Sequence, residues 1–186
     1  MSSTLGSRLQ IVMSGTRAWL AFVVALVVLT FGLGLPGRAN AAETTAVAGF
    51  GVFGAQDGDE PSAILDFEYR FRPWRFGIGP VVGVAAASNG AGYARLGLGR
   101  DFAFTERWNA NVSVAAAGYQ RGRGKDLGRG FEFRSALDLS YQIQPGVRVG
   151  AAVAHLSNAG IGERNPGVET FTVTISFTPS RMRRYH

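Results

Sequence analysis

From residue 45 onward, hydrophobic side chains recur at every second position. In LDFEYRFR (65–72), Leu65, Phe67, Tyr69 and Phe71 alternate with Asp66, Glu68, Arg70 and Arg72. In FEFRSALDLSYQ (131–142), Phe131, Phe133, Leu137, Leu139 and Tyr141 alternate with Glu132, Arg134, Asp138, Ser140 and Gln142. Trp108, Val112 and Val114 stand in the same relation to Asn109, Asn111 and Ser113. A period of two marks a strand with two unlike faces, and no stretch after Ala42 sustains the 3.6-residue period of a helix. The pattern predicts strands over 45–54, 62–72, 74–86, 92–103, 108–119, 131–142, 147–157 and 168–177. Turn signals separate them: Asp57-Gly58-Asp59-Glu60-Pro61, Arg72-Pro73, Ser88-Asn89-Gly90, Thr105-Glu106-Arg107, RGRGKDLGRG (121–130), Gln144-Pro145-Gly146 and 158–167.

The polar face carries acids and arginines, while the other is large, aliphatic and aromatic, with Trp74, Phe102, Phe104, Trp108, Tyr119, Phe131 and Tyr141 placed toward strand ends. That is the inside-out pattern of an all-β, eight-stranded antiparallel transmembrane β-barrel, an up-and-down meander with a lipid-facing apolar band and a charged interior. Closure removes the exposed sheet edges that would otherwise pair with other chains. A barrel of this size is filled by its own side chains and leaves no wide pore. Inward glycines, read at Gly77, Gly79, Gly83, Gly97 and Gly99, make room for the charged groups. A soluble lipocalin-type barrel predicts an apolar interior instead, and the apolar face here is too continuous to fit inside a small barrel.

The first forty residues follow a different rule. Arg8 and Arg17 precede an apolar run from Ala18 to Gly34, broken by Pro36-Gly37 and followed by the small-residue site Ala39-Asn40-Ala41. This is the layout of a secretory signal peptide cleaved after Ala41, so residues 1–41 are assigned to the signal, 42–177 to the barrel and 178–186 to a basic C-terminal extension. Of the 19 Lys+Arg, Arg8, Arg17 and Arg38 leave with the signal and all 13 Asp+Glu stay, so a formal charge of +6 falls to 16 − 13 = +3. The remaining cations are dispersed among acids, which excludes a nucleic-acid partner. With no cysteine, the exported chain has neither a disulfide framework nor thiolate chemistry.

Three polar residues break the apolar face. In the seventh segment Val147, Val149, Ala151 and Val153 share a face that continues to His155 and Ser157. In the eighth, Phe171, Val173, Ile175 and Phe177 share a face that begins at Glu169. A hairpin joining these strands brings Glu169 beside His155, and Ser157 lies two residues away on the same side. Lipid-facing charge costs about 2–4 kcal/mol for basic residues at the bilayer midplane and less toward the interface. The arrangement fits a Ser-His-acid triad: Glu169 fixes the imidazole tautomer, His155 takes the Ser157 proton and Ser157 attacks an acyl carbonyl. The Asn158 amide, with backbone N–H groups at Ala159 or Gly160, is the expected oxyanion donor set. Ser, Asn and Gly at a strand end are also ordinary turn formers, and spacing alone leaves that reading open. If the N-terminus starts on the periplasmic side, strand seven ends at the external rim, facing the outer leaflet. The Gly-rich run 121–130 reads as a loop outside the membrane.

HLSNAG (155–160), NPG (165–167) and VE (168–169), with LG (127–128) before strand six, resemble the lipid A 3-O-deacylase family of outer-membrane barrels, the PagL type. The resemblance implies an outer-membrane protein of a Gram-negative bacterium that hydrolyses the ester-linked acyl chain at the 3 position of lipid A. It implies a serine at Ser157, a histidine at His155, a glutamate at Glu169 and an oxyanion asparagine at Asn158. No metal or organic cofactor is implied; the partners are lipopolysaccharide and membrane lipid, and a homodimer is compatible with the sequence. Leu156 departs from the aromatic that many relatives place there, a change on the interior face. The tail TPSRMRRYH beyond Phe177 departs from the terminal aromatic usual in such barrels. A non-catalytic small barrel with a structural or binding role is the alternative, and it would leave His155, Ser157 and Glu169 dispensable.

Overall fold

In the computed structural model, residues 43–54, 61–161 and 164–179 are described. The expected signal peptide and all but the first two residues of the C-terminal extension lie outside them. The described chain forms eight strands: β1 (Thr45–Phe53), β2 (Ser62–Arg70), β3 (Ile78–Ala87), β4 (Gly92–Ala103), β5 (Trp108–Gln120), β6 (Phe131–Gln144), β7 (Val147–Ser157) and β8 (Val168–Phe177). Each pairs antiparallel with its sequence neighbour, and β1 pairs with β8 to close the barrel. The up-and-down meander is therefore as expected.

One boundary differs. The third strand begins at Ile78, and residues 75–77 form a tight turn with Phe76 at φ 64° and Gly77 at φ 73°. Pro73 lacks the N–H a ladder needs, so the chain turns there and rejoins β2 only where Phe71 N–H donates to Pro80 O at 2.9 Å. Gly77 accordingly lies in a turn, while Gly79, Gly83, Gly97 and Gly99 lie on inward positions of β3 and β4.

Side-chain parity holds through the wall. On β2, Ser62, Ile64, Asp66, Glu68 and Arg70 are buried inside, and Leu65, Phe67 and Tyr69 are exposed outside. Trp74, Phe76, Phe104 and Trp108 are exposed at the end that holds turns 71–77, 104–107 and 145–146. Phe131 and Phe133 are exposed near the other end, which carries loops 88–91 and 121–130 and residues 158–161 and 164–167. Tyr119 departs from the expected girdle: it points inward, and its hydroxyl donates to Lys125 O at 2.9 Å. Its position alternates with the small outward Gly118, so parity outweighs the preference of tyrosine for an interface.

Inside, most charge is matched by charge; Glu132 is an exception, fully buried with neither carboxylate oxygen hydrogen-bonded. Arg95 Nη2 lies 2.6 Å from Asp66 Oδ1 and 3.0 Å from Glu68 Oε2. Arg70 donates to Glu68 Oε1 at 2.8 Å and to Asp138 Oδ2 at 3.2 Å, and Tyr93 donates to Asp66 Oδ2 at 3.0 Å. Gly83 is needed beside this lattice, since a Cβ there would stand 2.5 Å from Arg95 Cζ. Above the lattice the interior turns apolar, a departure from the uniformly polar filling expected. Phe53, Ile64, Ala85, Ala91, Tyr93, Tyr119, Leu127, Leu156 and Val168 form one buried cluster at the loop end. It fills the barrel mouth and fixes Leu156 from the inside, where it is fully buried.

Removing one partner of a buried ion pair leaves uncompensated charge and costs about 3–5 kcal/mol. Glu68 serves three arginines, Arg70, Arg95 and Arg134, so Glu68→Ala is expected to lower unfolding free energy in lipid vesicles by about that amount, read from urea titration. A loss below about 1 kcal/mol would show that the lattice is not what braces the interior.

Candidate active site

The loop-end cluster sets the geometry of the outer wall. Leu156 and Val168 are each fully buried within the barrel, and they pair across β7 and β8. Their neighbours His155, Ser157 and Glu169 must therefore face outward. In the ladder His155 lies directly opposite Glu169, and His155 Nδ1 is 3.0 Å from Glu169 Oε1. Because an ionised carboxylate only accepts, the bond between them is donated by an Nδ1 proton. Ser157, two positions along the same face, is about 7 Å away by Cα, within reach of side chains that lean together.

The pair is more sheltered than an outward position suggests. His155 is 9% exposed and Glu169 5% exposed. Phe133 pairs with Ser157, and Phe171 with Val153 one row below, so aromatic side chains flank the polar group. The Glu169 carbonyl accepts from Gly54 N–H at 2.9 Å, which ties the start of β8 to the end of β1.

Asn158 has a different task from the one expected. It continues the inward parity of Ala154 and Leu156 and is fully buried, so its amide must find partners within the protein. Nδ2 donates to Leu127 O at 2.9 Å and to Arg164 O at 2.7 Å, and Oδ1 accepts from Gly160 N–H at 3.0 Å. The Asn158 backbone N–H donates to Asn165 Oδ1 at 3.0 Å. The Asn158 amide and the Gly160 N–H are thus engaged in joining loop 121–130 to loop 158–167. Ala159 N–H takes no part in these bonds; Ala159 holds a left-handed φ of 55°.

An ionic contact reinforces the same latch. Arg164 reaches Asp126 Oδ2 at 3.0 Å, and Gly128 N–H donates to Asp126 Oδ1 at 2.9 Å. The Gly128 N–H holds the Asp126 carboxyl below its ordinary range, with Arg164 and Arg121 adding to the effect. A depressed carboxyl contributes while ionised, so this contact is present above the usual carboxylate range and fades as pH falls through the lowered value.

Two participants escaped the sequence reading. Ser135 of β6 pairs directly with His155 on the side away from Glu169, and it is buried. Its signal was a serine interrupting the outward run Phe131, Phe133, Leu137, Leu139. Gly167 packs against the His155 ring, a contact no spacing reveals. Among the described residues no group of three His, Asp or Glu is arranged to hold a metal.

A closed barrel with a charged lattice inside, an apolar outer wall and a hydrogen-bonded His155–Glu169 pair near its rim has the features of an integral membrane β-barrel. A family model described as lipid A 3-O-deacylase (PagL) matches residues 16–178. The chain belongs to that family of outer-membrane enzymes. Lipid A deacylase PagL of Bordetella bronchiseptica is 36% identical over 53 residues, which are 28% of this chain and 30% of the relative, so the match spans less than a third of that protein. The crystal structure of the outer membrane enzyme PagL superposes with a TM-score of 0.56 at 17% identity, over 73% of this chain and 99% of that one, a likeness of fold.

Leaving buried hydrogen-bonding groups unpaired costs about 1–3 kcal/mol each. Asn158→Ala orphans two carbonyls and one N–H at the latch, so trypsin is expected to cut at Arg121, Arg123, Lys125, Arg129 or Arg164 at least tenfold faster than in the wild type. Unchanged cleavage kinetics would show that the loops hold together without Asn158.

Proposed function

We propose that this protein hydrolyses the ester-linked acyl chain at the 3 position of lipid A, with Ser157 as nucleophile, His155 as base and Glu169 as orienting acid. The observation that carries the reading is the 3.0 Å His155–Glu169 bond on a wall that otherwise faces lipid. Family membership supplies the substrate class. A lipid-facing site needs no channel, because an acyl chain lying beside the barrel already has its ester near the interface.

The chemistry follows from the proton positions. Ser157 Oγ attacks the acyl carbonyl as Nε2 of His155 takes the hydroxyl proton, and Glu169 stabilises the resulting imidazolium. The carbonyl oxygen becomes an oxyanion, and the turn 158–160 is the nearest source of backbone donors, with Ala159 N–H the one outside the loop latch. Collapse breaks the bond between the acyl carbon and the sugar oxygen, which takes the proton from His155. Water then attacks the acyl-serine with His155 again as base, releasing a free fatty acid and restoring Ser157.

Placement at the outer leaflet follows if the barrel has the usual orientation with its chain ends in the periplasm. Loops 121–130 and 158–167 lie at the opposite end, and the site sits beneath them. Signal cleavage after Ala41 and a periplasmic basic extension 178–186 complete the proposal.

Mass spectrometry of lipid A from Gram-negative cells expressing the wild type is expected to show loss of one ester-linked acyl chain. Ser157→Ala and His155→Ala are expected to lower the deacylated fraction at least a thousandfold in vitro, by the scale seen when triad members are removed. Equal deacylation by wild type and Ser157→Ala would sink the serine assignment.

A further inference from the structure

Gly167 precedes β8 with φ 64°, a left-handed conformation. A Cβ at this position would stand 2.5 Å from His155 Cε1, 3.0 Å from His155 Nε2 and 3.4 Å from Leu156 O. Its Cα lies one carbon–carbon bond further back, about 1.5 Å, and so is at most about 4 Å from Cε1, in van der Waals contact with the ring. The neighbour that would have to yield is the imidazole itself. Its Nδ1 is tethered to Glu169 at 3.0 Å, and its backbone is fixed in the β7–β8 ladder.

We infer that Gly167 is a positioning residue for His155: the missing side chain lets the ring keep its bond to Glu169 while presenting Nε2 to Ser157. This rests on the reading of His155 as the base. A side chain here would rotate or displace the ring, and either movement breaks the Nδ1 contact or turns Nε2 from the serine.

Left-handed backbone strain is a separate reason for glycine, and it is separable by experiment. Asparagine tolerates positive φ but still carries a Cβ. Gly90, in the loop between β3 and β4, has φ 82° with its nearest neighbour, Gly122 Cα, 3.8 Å from a built Cβ, so alanine there introduces strain without touching the site. The full-length wild type and the variants Gly167→Ala, Gly167→Asn, Gly90→Ala and His155→Ala are assayed on purified lipid A in detergent micelles. The rate is normalised to the folded barrel seen as the fast band on unheated gels.

Gly167→Ala and Gly167→Asn are both expected to lower kcat at least tenfold with KM within twofold of the wild type, while Gly90→Ala leaves both parameters unchanged. Recovery of wild-type kcat by Gly167→Asn alone would overturn the inference in favour of backbone conformation. So would wild-type kcat in both Gly167 variants while His155→Ala is inactive. Full activity of His155→Ala would instead overturn the assignment of the base, and the role of Gly167 with it.

Discussion

Everything in this barrel depends on an inverted division of solvent. The wall must satisfy each backbone hydrogen bond by closure, because lipid offers none. Side chains then have only two directions, and the inner one must accommodate what lipid rejects. Asp66, Glu68, Arg70, Arg95 and Asp138 are tolerated inside because each meets opposite charge at close range. Charges in such a lattice are strongly interdependent, which is why an interior glycine such as Gly83 matters as much as the ions it admits.

The same two-way choice creates the site. Leu156 and Val168 fill the apolar mouth, so the residues beside them are forced outward into a region suited to hydrocarbon. A lone charge there would be disfavoured. His155 and Glu169 satisfy one another instead, and nearness to the rim lessens the desolvation they suffer. The polar pair thus interrupts the outer wall at a place where the inner wall is most apolar. Loop 121–130, latched through Asn158 and Asp126, holds the turn that follows Ser157.

Much of this was legible in the sequence, since a period of two survives folding unchanged. The strand count, the charged inner face of β2 and β6, and the common direction of His155, Ser157 and Glu169 all follow from parity. Where the sequence misled, a local rule had a competitor. The turn at 75–77 extends past Pro73 because a positive-φ pair at Phe76 and Gly77 completes it. Tyr119 faces inward because strand alternation outranks the usual home of tyrosine. Asn158 sits beside the serine, but its inward parity and full burial direct its amide to Leu127 and Arg164, partners far away in sequence. Ser135 and Gly167 join the site only through register and loop packing, which no spacing along one segment contains.

The proposed hydrolysis rests on an outward-facing serine on a lipid-bathed wall being chemically activated by its histidine neighbour. A fluorophosphonate applied to the barrel in lipid vesicles, followed by peptide mass spectrometry, tests it most directly, because the adduct records both the nucleophile and its activation. A single adduct on Ser157 that disappears in His155→Ala is the predicted result. Absence of any adduct on Ser157, or equal labelling with and without His155, would contradict it.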